Sequence, residues 1–69
     1  MRRMVVESSA VNRVGYDRAR RVLEIEYKDG DVYHYFNVPP RVLQELLAAP
    51  SIGGYVNTMV KGVYDFAPL

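Results

Sequence analysis

Six arginines stand in the first 21 residues, Arg2, Arg3, Arg13, Arg18, Arg20 and Arg21, and two tyrosines, Tyr33 and Tyr35, flank the only histidine, His34. Guanidinium groups grip phosphate oxygens and aromatic rings stack on bases, so arginines beside exposed rings suit a single-stranded nucleic acid. On that reading Arg13, Arg18, Arg20 and Arg21 are candidate phosphate contacts, and Tyr33, Tyr35 and Phe36 are candidate stacking rings. The competing reading is that tyrosines in so short a chain fill its core, since few other large apolar side chains exist to do so. Charge placement keeps the first reading open. Residues 1–21 hold six arginines against Glu7 and Asp17, a net of +4, whereas residues 22–69 hold three bases against six acids, a net of −3. Such separation can aim one basic side at an anionic partner, or folding can bring the two groups together as neutralising pairs. The whole chain carries only +1, far from the strongly basic balance of a dedicated nucleic-acid binder.

Other chemistries find weaker footing. With no cysteine there is no thiolate nucleophile, disulfide or zinc–thiolate site, and Asp29 and Asp31 near His34 give no convergent ligand set. No metal and no cofactor is expected. No elbow or oxyanion loop singles out Ser8, Ser9 or Ser51 as a partner for His34, so no catalytic residue is assigned and the chain reads as a non-enzyme. Ser51-Ile52-Gly53-Gly54 is a weak phosphate-binding candidate through Ser51, Gly53 and Gly54, because glycines in a helix's first turn expose backbone N–H groups. The alternative is that the glycines let the helix pack closely on a neighbour. Glu7 interrupts the apolar run after Met4-Val5-Val6, too short for a secretion signal, and no stretch approaches a membrane span, so a cytoplasmic location away from membranes is expected.

These residues must be positioned by a very small scaffold. The 69 residues allow one domain, residues 1–69, with a thin core in which a deep, dry pocket is not expected. Val22 to Lys28 alternates apolar and charged residues and reads as a strand; Asp29-Gly30 turns the chain, and Asp31 to Asn37 returns. Met4-Val5-Val6 and Val11 to Tyr16 are further strand candidates, with Asp17-Arg18-Ala19-Arg20 as a connecting turn. At least one of them should pair with the hairpin, because two strands alone are marginal in water. Val38-Pro39-Pro40 opens a helix carried by Arg41 to Ala49, with an apolar stripe of Val42, Leu43, Leu46 and Leu47. Pro50 breaks it. Ser51 caps a second helix whose apolar positions are Ile52, Tyr55, Val56, Met59, Val60 and Val63, with Gly62 as its terminator. The expected fold is α+β: a small antiparallel meander of three strands, with a fourth open, followed by two helices on one face.

The hairpin register decides what the tyrosines do. A two-residue Asp29-Gly30 loop would place Tyr33 and Tyr35 with Glu24 and Glu26 on an exposed face. A three-residue loop, with Gly30 left-handed, would place them with Leu23, Ile25 and Tyr27 and leave Val32, His34 and Phe36 beside Glu24 and Glu26. The second groups the large apolar bodies on one buried face and is the favoured register.

Taken in order, several segments resemble the KTSC domain, a family named for its occurrence at the C-terminus of some lysyl-tRNA synthetases and also found as free-standing bacterial proteins. They are Val6-Glu7-Ser8-Ser9-Ala10-Val11, Val14-Gly15-Tyr16-Asp17, Leu23-Glu24-Ile25-Glu26-Tyr27 before Gly30, Tyr33-His34-Tyr35, Val38-Pro39, and Ala49 through Asn57. The resemblance covers nearly the whole chain, with Tyr33-His34-Tyr35 in the place of the family's Y-x-Y motif. Its synthetase context implies RNA as the partner, attached here to Tyr33 and Tyr35. The alternative partner is another protein or a second copy of the chain, met through Phe36 or an unpaired edge strand from Val11 to Tyr16.

Overall fold

In the computed structural model, which describes residues 1–69, the Tyr27 N–H donates to the Asp31 carbonyl at 2.8 Å, and the Gly30 N–H to the Tyr27 carbonyl at 3.0 Å. Lys28, Asp29 and Gly30 therefore form a three-residue loop, with Gly30 at φ +96°, a conformation that strains any residue carrying a Cβ. The loop joins β3 (Val22–Tyr27) to β4 (Val32–Tyr35) and fixes Leu23 opposite Tyr35, Glu24 opposite His34 and Ile25 opposite Tyr33. The register that groups Tyr33 and Tyr35 with Leu23, Ile25 and Tyr27 is the one adopted.

Five antiparallel strands form a simple meander: β1 (Arg3–Val5), β2 (Val11–Asp17), β3, β4 and β5 (Phe66–Pro68). The fold class is as expected, but the strand count exceeds three or four because the C-terminal segment returns beside β4. The expected edge at Val11 to Tyr16 is corrected too. β1 pairs with β2 on its outer side, so β2 is an interior strand and the sheet's edges are β1 and β5.

The chain then leaves the sheet through α1 (Pro40–Ala48), whose first helical position is a proline that loses no needed donor there, and α2 (Ile52–Tyr55). α2 runs on as a π-helical turn from Val56 to Val60, closed by the Lys61 N–H on the Val56 carbonyl at 2.8 Å. The wider turn changes which side chains face inward. Val56 and Val60 are buried, whereas Met59 and Val63, expected in the apolar stripe, are exposed. The core lies between one sheet face and the helices: Val11, Val14, Leu23, Ile25 and Tyr35 from the sheet side meet Val42, Leu46, Val56 and Val60, with Val38 at the junction. No helix is long and apolar enough to cross a membrane.

Candidate nucleic-acid interface

The face of the sheet away from the core is polar and paired. Arg3, Gly15, Glu24 and His34 stand side by side across four strands. Because Gly15 has no side chain, Arg3 reaches over it: its Nε–H donates to Glu24 Oε2. A Cβ at Gly15 would lie 3.0 Å from the Met1 sulfur, which covers that spot. The other Glu24 oxygen accepts from His34 Nε2 at 2.8 Å; an ionised carboxylate only accepts, so that ring nitrogen carries the proton. Glu24 is 4% exposed. Burial pushes its carboxyl up, but the hydrogen bonds and charges of Arg3 and His34 together outweigh it and hold Glu24 below the ordinary carboxylate range.

In the neighbouring row Arg13 grips Glu26 with two donors, Nε on Oε1 and a terminal nitrogen on Oε2 at 2.9 Å. The hydrogen bond and charge of this pair raise the Arg13 pKa and lower that of Glu26. Arg13 is thus separated from the other candidate phosphate contacts and already holds an anion.

Arg18, Arg20 and Arg21 sit together in the exposed turn between β2 and β3. Asp17 shapes that turn, its Oδ1 accepting from the Ala19 and Arg20 N–H groups at 3.1 and 3.2 Å. The far end is fastened to the β4–α1 junction: the Arg21 carbonyl accepts from Val38 N–H at 2.9 Å, and the Tyr16 hydroxyl donates to the Val38 carbonyl at 2.5 Å. None of the three guanidinium groups has a carboxylate within 4 Å, whereas Arg3, Arg13 and Arg41 do. Arg21 adopts φ +56°, which is unusual for a long side chain and brings the third arginine into the turn.

The aromatic residues take a different position. Tyr35 is only 2% exposed, and its hydroxyl meets that of Tyr27 at 2.8 Å. Burial first, and this hydrogen bond second, push the Tyr27 hydroxyl's pKa up, so it stays protonated. Tyr33 is half-buried, packed edge-on to Tyr27 at 5.6 Å and to Phe66 at 5.7 Å between ring centres. Phe36, half-buried, follows Tyr35 and falls on the opposite side of the sheet. On the core-side face, beyond the helices, Tyr33, Tyr35, Lys61, Gly62 and Phe66 line an open groove of about 240 Å³. Phe66 is 59% exposed, and the Lys61 ammonium lies 4.7 Å from the Tyr27 ring centre.

Phe66 and Lys61 are the site residues that sequence reasoning missed. Phe66-Ala67-Pro68 is too short to show alternation and contains a proline, so its strand character comes only from pairing with Tyr33 to Tyr35. The available signal was the hairpin's need for a neighbour beyond β4.

Ser51 caps α2, and Gly53 packs closely on the segment before β2. Ser51 Oγ accepts from the Gly54 N–H at 3.1 Å, occupying one donor that a phosphate would want, and a Cβ on Gly53 would come within 3.1 Å of Ala10. No three side chains of metal-ligating type cluster anywhere in the fold.

A family model for the KTSC domain matches residues 7–64. A protein of Tsukamurella paurometabola is 48% identical over 56 residues, covering 81% of this chain and 84% of that protein. A lysine–tRNA ligase of Nostoc punctiforme is 40% identical over 63 residues, which are 91% of this chain and 11% of the ligase. The crystal structure of a KTSC domain protein from Yersinia pestis superposes with a TM-score of 0.95 at 32% identity, over 99% of this chain and 96% of that one.

Proposed function

Because the chain belongs to the KTSC domain family, whose members include both stand-alone proteins and a segment of lysine–tRNA ligases, we propose that it is a non-enzymatic domain that binds single-stranded nucleic acid, RNA foremost. Arg18, Arg20 and Arg21 carry the reading: they are exposed, adjacent and without an acidic partner, in a fold whose two sheet-face arginines are both neutralised. A guanidinium left free of carboxylates offers its full set of donors to a phosphate. The tRNA named in the ligase relatives agrees with RNA as the ligand. Arg13 drops out of the contact set because Glu26 holds it.

The test is fluorescence anisotropy of the protein with single-stranded RNA, transfer RNA and duplex DNA over a salt series. Binding to RNA is expected, with log affinity falling by about 0.7 per neutralised phosphate for each tenfold rise in salt on a single strand. Failure to bind any of the three at low salt would reject the reading.

A protein partner has one observation of its own. β1 is an open edge whose three residues are all exposed, Val5 at 80%. Pairing of two copies along this edge would give a mass that rises with concentration, and a strict monomer would exclude it.

A further inference from the structure

We infer that the groove between Tyr33 and Phe66 is a nucleobase site whose adjoining phosphate is met by Lys61. It takes one base of the strand held by Arg18, Arg20 and Arg21, so the inference rests on the nucleic-acid reading above.

Three observations carry it. The first is the lining. Tyr33 and the largely exposed Phe66 stand edge-to-face at 81°, so a planar ligand can lie on one ring while meeting the edge of the other, and Tyr35 closes the floor. A hollow of about 240 Å³ suits a single small planar group better than an extended peptide face. The second is charge. Lys61 is the only ionisable cation in that lining; it stands on the boundary with the hollow of Asp29 and Asp31 but has no carboxylate within 4 Å, so an aromatic ligand bearing a negative charge is the complementary one.

The third is the asymmetry of the two ends. On the hairpin side of Tyr33 and Lys61 the surface continues into a hollow lined by Asp29 and Asp31, which repel a phosphate chain. On the other side Phe66 pairs with Tyr35, Tyr35 with Leu23, and Leu23 lies two residues from Arg21. With strand spacings of about 4.8 Å and a rise of about 3.3 Å per residue, the groove is roughly 12 Å from the arginine turn. The strand therefore leaves the groove away from the hairpin tip and reaches the turn around the buried Tyr35 and Leu23 rather than over them. A path of that length is shorter than the roughly 4 to 16 nucleotides that small single-strand-binding folds cover, so one short strand can reach both the groove and the turn.

Two measurements on the full chain test this. In the first, adenosine 5′-monophosphate is titrated while ring and side-chain NMR signals are followed, in the wild type and in the R18A/R20A/R21A variant. Shifts at Phe66, Tyr33 and Lys61 in both are expected. Shifts confined to the arginine turn, or none at all while oligomers still bind, would overturn the groove and leave the arginine reading standing. Mononucleotide shifts at the rings without any oligomer binding would do the reverse.

In the second, Phe66→Ala is compared with wild type on a short single-stranded oligoadenylate and on an abasic strand of equal length. Because Phe66 is exposed, the variant should fold. It should lose about five- to a hundredfold in affinity for the base-bearing strand, none for the abasic one, and keep its salt slope. Equal affinity of wild type for the two strands would refute the base site.

Discussion

Arg3 and Arg13 on the open sheet face and Arg18, Arg20 and Arg21 in the β2–β3 turn differ in what the strand register puts opposite them. Arg13 lies across from Glu26 and Arg3 reaches over Gly15 to Glu24, so the charge of both is consumed within the fold. The turn arginines project past the end of β3, where the acid of the turn itself, Asp17, has turned its carboxylate to the backbone. Arg2 aside, the arginines of the N-terminal third are therefore two populations. One ties a small sheet together and the other is available to a ligand. Net charge over a segment says nothing about which is which; cross-strand pairing does.

The largest effect that could break this division is on binding. Alanine at Arg18, Arg20 and Arg21 together should lower the salt slope on single-stranded RNA by about two and the affinity at 0.1 M salt by roughly a hundredfold. The R3A/R13A double variant, measured under the same conditions, should bind as wild type does. If the face pair mattered as much as the turn set, the division would be wrong.

The reverse experiment concerns stability. Glu24→Ala leaves Arg3 and His34 without their shared acceptor in a nearly closed position and should cost about 2 kcal/mol, a fall in midpoint temperature of roughly 8 to 16 °C for a domain of this size. RNA affinity should not change. A Glu24→Ala protein melting with the wild type would show the row of Arg3, Glu24 and His34 to be idle.

Acid should act on this row and on the neighbouring Arg13–Glu26 pair more gently. Glu24 and Glu26 are both held below the ordinary carboxylate value of 4.5, so the unfolded chain binds protons more readily than the folded one. Their contribution is fully present above that value and is lost as pH falls through the lower folded values. Thermal midpoints should hold steady down to about pH 5 and then decline. Glu24→Gln should flatten that decline, and an unchanged acid limb in the variant would assign it to other carboxylates.

How much of this was legible from residue order follows from the range of the forces involved. The hairpin register could be read because it is decided locally: grouping Leu23, Ile25, Tyr27, Tyr33 and Tyr35 on one face requires the three-residue loop, and Gly30 supplies it. The helix starts at Pro40 and Ser51 were readable for the same reason. The partner of Arg13 was not. It depends on a β2–β3 register that shifts between Val11 and Arg13, an irregularity with no signature in the residues concerned. Nor was β5, three residues that become a strand only because β4 offers an unpaired edge. The groove needed β5, so Phe66 stayed hidden while Tyr33, on the hairpin, did not.

The smallest effect sharpens the comparison at a single residue. Arg21 is held at φ +56°, where glycine is at ease and a branched or long side chain is strained by about 1 kcal/mol, yet the position carries an arginine. Arg21→Gly should relieve that strain, partly offset by the greater freedom glycine gives the unfolded chain, for a net gain of about 0.5 kcal/mol. The Val38 N–H bond to the residue 21 carbonyl is a backbone contact and survives the change. The same variant should bind single-stranded RNA less tightly, with a salt slope lower by about 0.7. Stability up and binding down in one protein is the signature of a residue kept for its charge at a conformational cost. A denaturant midpoint that falls on Arg21→Gly would instead make Arg21 a structural residue and leave the ligand to Arg18 and Arg20.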